Sequence, residues 1–184
     1  MGGRMPSWKL HEKWAVKFGI SQEIAKKVNK LIDLEEEHDL GLKKRKRLAG
    51  ILPYDEYTVQ ELVKELYRRF REKAFEASLA ALLHHYLDTI EKILRNFYPL
   101  DIEGLVEVIV KDVESILREH GLDLLNIYFR GCWESVCNFC RENIFEILKD
   151  IEKELIEKGK VKEIGDLKVL HLFAEWRRIK RYPE

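Results

Sequence analysis

Cysteine, proline and glycine are scarce in this chain: three, four and ten in 184 residues. Three cysteines are too few for a disulfide scaffold, and all three fall between positions 132 and 140. The shortage of proline and glycine leaves long stretches without a breaker, which favours helices. No run of about 18 apolar residues occurs, so no membrane-spanning segment is expected. Charge of one sign is absent in excess: Lys plus Arg and Asp plus Glu are 33 each, so bulk charge draws the chain to neither nucleic acid nor anionic lipid. The G-x-x-x-x-G-K-[ST] and G-x-G-x-x-G loops that cradle phosphates are missing, as is the G-x-S-x-G of α/β-hydrolases. Met1–Pro6 has no apolar stretch behind it, so no signal peptide is expected and the expected compartment is the cytoplasm. Glutamine and threonine occur twice each while Lys and Glu dominate, a composition expected of a thermophile.

What the chain does have is apolar residues, 46% of it, in helical rhythm, enough for one hydrophobic core at a domain size of about 150 residues. Leu10, Trp14 and Phe18 recur at helical spacing between Ser7, a candidate cap, and Gly19, a stop. Ser21 is placed to cap a second helix that buries Ile24, Val28, Leu31 and Ile32. Thr58-Val59-Gln60-Glu61 reads as a capping box. Leu62, Leu66, Phe70, Ala77, Ala81 and Leu87 then keep a helical period to about Asn96. Unbroken, that helix would be roughly 57 Å long, against about 40 Å for a compact domain of this size, so a break is expected near 71–77. Pro99 ends the segment and Asp101 is placed to cap a helix that runs to Gly121. A short helix at about 122–130 and a long one from about Glu134 to Lys158 follow. The tail reads as a last helix or a short hairpin. The expected fold is all-α, a single domain over 1–184 with about six to eight helices. Residues 1–98 carry the polar cluster described next, and 99–184 carry the remaining helices and the cysteines.

Six histidines are present, and several fall where they share a face with a carboxylate. In Ala80-Ala81-Leu82-Leu83-His84-His85-Tyr86-Leu87-Asp88, His84 pairs with Asp88 at i,i+4 and His85 with Asp88 at i,i+3. Either pair is able to chelate one ion, and imidazole with carboxylate suits Mn, Fe, Zn and related divalent ions. His11 lies on the first helix, and His38-Asp39 follows the second.

His11, then His38-Asp39-Leu40-Gly41, then an Asp on a later helix resembles the HD-domain metal-dependent phosphohydrolases over residues 8–90. The resemblance implies an all-helical fold and a metal set of His11, His38 and Asp39 with Asp88 as fourth ligand, Asp112 being the other candidate. It implies His84 or His85 as an extra ligand or phosphate contact; here His85 is assigned to the metal, and Asp39 and His84 to catalysis. It further implies a divalent cofactor (Mn, Mg, Fe, Co or Zn) and hydrolysis of a nucleotide or other phosphoester by metal-activated water, with Lys43 and Arg45 on the substrate phosphate. A looser resemblance, to the zinc-dependent phospholipase C and P1-nuclease group, rests on Trp8 and the H-x-x-x-D spacing.

Gly131-Cys132-Trp133-Glu134-Ser135-Val136-Cys137-Asn138-Phe139-Cys140 is C-x4-C-x2-C, the spacing of three ligands in plant-type ferredoxins, without a fourth cysteine in the chain. A Cys3His zinc site with His120 or His171, a disulfide, or small side chains packed in a core are the readings of Cys132, Cys137 and Cys140. Lys43–Arg47 is an unbroken basic run, and Arg177-Arg178 with Lys180-Arg181 adds a basic tail. Nucleic-acid binding by a non-enzymatic helical module is therefore the alternative to an enzyme, with homodimerisation through an apolar stripe such as Leu105, Val108, Ile109, Val113, Ile116 and Leu117.

Overall fold

The computed structural model describes residues 7–33, 56–96 and 105–159. Every element among them is helical: α1 (Trp8–Lys17), α2 (Gln22–Asp33), α3 (Glu56–Phe70), α4 (Ala74–Asn96), α5 (Leu105–Glu119), α6 (Leu125–Tyr128), α7 (Cys132–Glu142) and α8 (Ile144–Glu157). Two 3-10 turns, Arg71–Lys73 and Leu122–Leu124, join α3 to α4 and α5 to α6.

The apolar period explains how they assemble. Helix α1 presents Leu10, His11, Trp14 and Ala15 inward. It stops at Gly19 (φ +95°), where Ile20 N–H bonds the Ala15 carbonyl at 2.9 Å and Gly19 N–H the Val16 carbonyl at 3.0 Å. That pairing is a Schellman motif, which needs the left-handed residue glycine supplies. Ser21 Oγ accepts the Ile24 N–H at 3.4 Å and so caps α2 as expected. The break foreseen between α3 and α4 falls at Arg71–Lys73, where Arg71 has φ +50°.

Helix α4 is the centre: α1, α2, α3, α5, α7 and α8 all pack on it. Its residues 80–91 are buried on every side, the condition of a helix enclosed by other helices. Leu82, Leu83, Tyr86, Leu87 and Ile90 are sealed from solvent there. Each is worth about 1.5–3 kcal/mol of transfer free energy. Trp14 of α1 joins the same core, edge-on to Phe139 of α7 with ring centroids 6.2 Å apart.

Several local expectations are corrected. Ser7 does not cap α1 with its side chain; its backbone N–H (2.6 Å) and hydroxyl (3.0 Å) both donate to the Glu154 carboxylate of α8. That carboxylate offers a stronger acceptor than the helix end offers donors, and it ties the first helix to the last. Thr58 lies inside α3, which begins two residues earlier at Glu56, so the capping box does not start it. The long helix expected from Glu134 to Lys158 is two helices meeting at Asn143 (φ −110°, ψ 9°). Asn143 Nδ2–H donates to the Phe139 carbonyl at 2.8 Å, the local side-chain bond that competes with a continuing helix. His38, Asp39, Lys43, Arg45, Pro99, Asp101 and the tail lie outside the described residues.

Candidate metal centre

A helix buried on all sides must find partners for its polar groups. Ser78 and Thr89 of α4 find them locally, bonding the carbonyls of Phe75 (2.7 Å) and His85 (2.8 Å). His84 and Asp88 are not settled so simply. One helical turn apart, they face α1 and α2 and there meet His11 and Asp33. His11 Nε2 lies 3.2 Å from Asp88 Oδ1, and His84 Nε2 lies 3.4 Å from Asp88 Oδ2 and 3.3 Å from Asp33 Oδ1. The His11 and His84 rings are 4.0 Å apart, centroid to centroid.

These are close charge contacts without hydrogen-bond geometry. Both ring nitrogens of His11, Nε2 of His84 and both oxygens of Asp88 are buried and lack a hydrogen-bond partner among the described residues. Polar atoms thus crowd round one point without bonding one another. One ligand atom from each of His11, His84 and Asp88 lies within 4.8 Å of the others. Ligand atoms about 2.1 Å from a tetrahedral ion would stand about 3.4 Å apart; the two imidazoles lie 3.2 and 3.4 Å from Asp88, each from a different oxygen of that carboxylate. The donor set, two imidazoles and a carboxylate, fits a borderline divalent ion.

The outer contacts are ordered too. Asn29 Oδ1 sits 2.9 Å from His84 Nδ1, so that nitrogen carries the proton and Nε2 faces the cluster. Trp8 Nε1–H donates to Asp33 Oδ2, leaving Oδ1 toward His84. Burial is uneven: His11, His84 and Asp88 are sealed, whereas the Asp33 side chain is 27% exposed, the least buried of the four.

Electrostatics follow from the crowding. Burial alone would lower the His84 pKa, but the Asp88 and Asp33 carboxylates outweigh it and lift it to about 9. Burial would raise Asp88, yet His84 and His11 hold it well below the usual carboxylate range. Burial and the neighbouring charge of His84 lower His11. At neutral pH the cluster therefore holds one imidazolium between two carboxylates. A divalent ion in its place would be neutralised by Asp33 and Asp88.

Of the residues the sequence singles out, the fold brings together His11, His84 and Asp88. His84, assigned above to catalysis, belongs to this group, and His85, assigned above to the metal, does not join it. The His85 ring lies edge-on to His84 with centroids 5.7 Å apart, and burial with the charge of His84 pushes its pKa down to about 3. The i,i+4 pair wins over i,i+3 because it is the one on the side of α4 that faces α1 and α2. Asp112 lies on α5 and is not part of the group. Sequence reasoning missed Asp33 and Asn29, and named Trp8 only through the looser resemblance, not as the partner of Asp33. The available signal was Asn29 and Asp33 at i,i+4 on α2, the same spacing as His84 and Asp88 on α4.

The cysteines stand apart from this cluster, and His171, one of the fourth ligands considered for them, lies outside the described residues. All three are free and buried, and among the described residues none joins a metal-holding group. Cys132 begins α7 rather than lying in a loop, so it cannot swing toward Cys137 and Cys140. Burial raises all three thiols, Cys132 to about 11 and Cys137 to about 12. They serve as core side chains.

No family model matches the chain, and no curated protein or solved structure matches it either.

Proposed function

We propose that the protein is a divalent-metal protein whose ion sits among His11, His84 and Asp88, and that the ion serves phosphoester hydrolysis as the HD-type resemblance implies. The observation that carries the metal reading is the convergence of buried, unbonded polar atoms at ligand-to-ligand spacing. Three protein ligands leave a further coordination position, the arrangement of catalytic rather than closed structural sites. A divalent ion there would polarise a phosphoryl oxygen and acidify a water.

The chain's own residues do the rest. Asp33, the half-buried carboxylate of the cluster, would accept a proton from water, its other oxygen held by Trp8. His38 and Asp39 follow Asp33 by five and six residues, a span of at most about 20 Å of extended chain. On the resemblance His38 and Asp39 would extend the ligand set, and Lys43 and Arg45 would hold phosphate. The near-complete burial of His84 and Asp88 favours a second reading, in which the ion is structural and the protein is a helical interaction or nucleic-acid-binding module.

Elemental analysis of untagged protein purified without chelator tests the first step. About one equivalent of a divalent metal is expected, and less than a tenth of that in His11→Ala and His84→Ala. A screen with p-nitrophenyl phosphate and bis-p-nitrophenyl phosphate separates the two readings. Hydrolysis lost in Asp33→Asn and Asp39→Asn supports the enzyme; bound metal without turnover of any phosphoester supports the structural role.

A further inference from the structure

We propose that Asn29 is the positioning residue of this centre: it selects which nitrogen of His84 faces the ion. The inference rests on the metal reading above and assigns a role to a residue outside the ligand set.

Asn29 is buried on α2, and its Oδ1 lies 2.9 Å from His84 Nδ1. An imidazole binds a metal through a nitrogen that carries no proton, so the partner of the other nitrogen decides which is free. A carbonyl oxygen can only accept. Asn29 therefore keeps the proton on Nδ1 and leaves the Nε2 lone pair toward His11 and Asp88. The opposite orientation of the amide would present an N–H to Nδ1, force the proton onto Nε2 and aim it into the cluster, where no ion could then approach.

Asn29 and Asp33 are one helical turn apart, so α2 addresses both nitrogens of the same ring. Asn29 faces Nδ1 and Asp33 faces Nε2. Helix α4 offers the ring, α2 sets its tautomer and pitch, and α1 brings the second imidazole.

Zn(II) affinity, measured by competition with a fluorescent chelator, tests this on wild type, Asn29→Asp, Asn29→Leu and Asn29→Ala. Asn29→Asp keeps an acceptor at Nδ1 and is expected to bind within about threefold of wild type or tighter. Asn29→Leu and the less disruptive Asn29→Ala remove it and are expected to bind about 10–100-fold more weakly. In the zinc-loaded wild type, ring 15N shifts of His84 are expected to show a ligated Nε2 and a protonated Nδ1, and a mixture of ring states in Asn29→Ala. A merely structural role would leave that signature unchanged. Wild-type affinity and ring shifts in Asn29→Ala would overturn the role of Asn29 alone, as would an Asn29→Asp variant as weak as Asn29→Ala. Failure of wild type itself to bind zinc, cobalt, manganese or iron would overturn the metal reading and this one with it.

Discussion

Replacing Asp88 by Asn in the metal-free protein is expected to destabilise it in a manner that depends strongly on pH. Asp88 is 2% exposed and contacts two histidines from two helices. Its charge leads the influences that lift His84 from 6.5 to about 9 against the cost of burial. At about 1.4 kcal/mol for each tenfold change in affinity for the proton, that rise is worth roughly 3–4 kcal/mol of preference for the imidazolium in the folded state. Because the folded pKa is raised, this stabilisation is fully present below pH 6.5 and fades as pH rises through about 9. Asp33 keeps part of it in the variant, so the loss at pH 6 should be about 2–3 kcal/mol larger than the loss at pH 10. Urea unfolding in chelator at both pH values measures it, provided the slope m is the same for both proteins. The same cycle in a His84→Gln background should erase the pH dependence, since the partner is gone. A loss equal at the two pH values, or greater at pH 10, would refute the charge arrangement assigned to this cluster.

Four further outcomes follow from the surrounding structure. The cysteine thiols, raised by burial, should not react with Ellman's reagent at pH 8 in the native protein, while all three titrate after unfolding in urea; prompt native reaction would refute their burial. The same shifts imply that stability falls above about pH 9, where unfolded thiols ionise and folded ones do not, by about 1.4 kcal/mol per thiol per pH unit, visible as an alkaline drop in Tm. The Tyr86 hydroxyl is buried without a hydrogen-bond partner among the described residues, so Tyr86→Phe should leave stability unchanged or raise it by about 1 kcal/mol; a loss beyond that size in thermal melting would mean the hydroxyl is bonded. Gly131 holds φ +84° ahead of α7, and a Cβ there meets nothing within 4 Å, so Gly131→Ala should cost about 1–2 kcal/mol from backbone strain alone, with Gly131→Asn costing less.

How much of this was legible in the sequence depends on where each signal lives. Helix period, the glycine stops at 19 and 121, and the break after Phe70 are local or follow from length, and all appear in the structure. The break at Asn143 was hidden because it uses neither proline nor glycine, only one amide turned back on the Phe139 carbonyl. Asp33 was obscured by Glu35-Glu36-Glu37 just beyond it, which made the whole stretch read as solvated. The choice between His84 and His85 was out of reach in principle, since a helix apolar on every side carries no phase from which to tell which flank meets which neighbour. That limit points to the feature that does carry information. Ser78 and Thr89 sit in the same enclosed helix and are satisfied by their own backbone, because a hydroxyl reaches a carbonyl one turn back. An imidazole and a carboxylate have no such local outlet. Their presence amid buried apolar residues demands a partner from another helix or a ligand, and here other helices bring Asn29, Asp33 and His11 yet leave Nε2 of His84 and both oxygens of Asp88 unbonded. Those leftover atoms, rather than the His-Asp doublet at 38–39, are the strongest reason to look for an ion between α1 and α4.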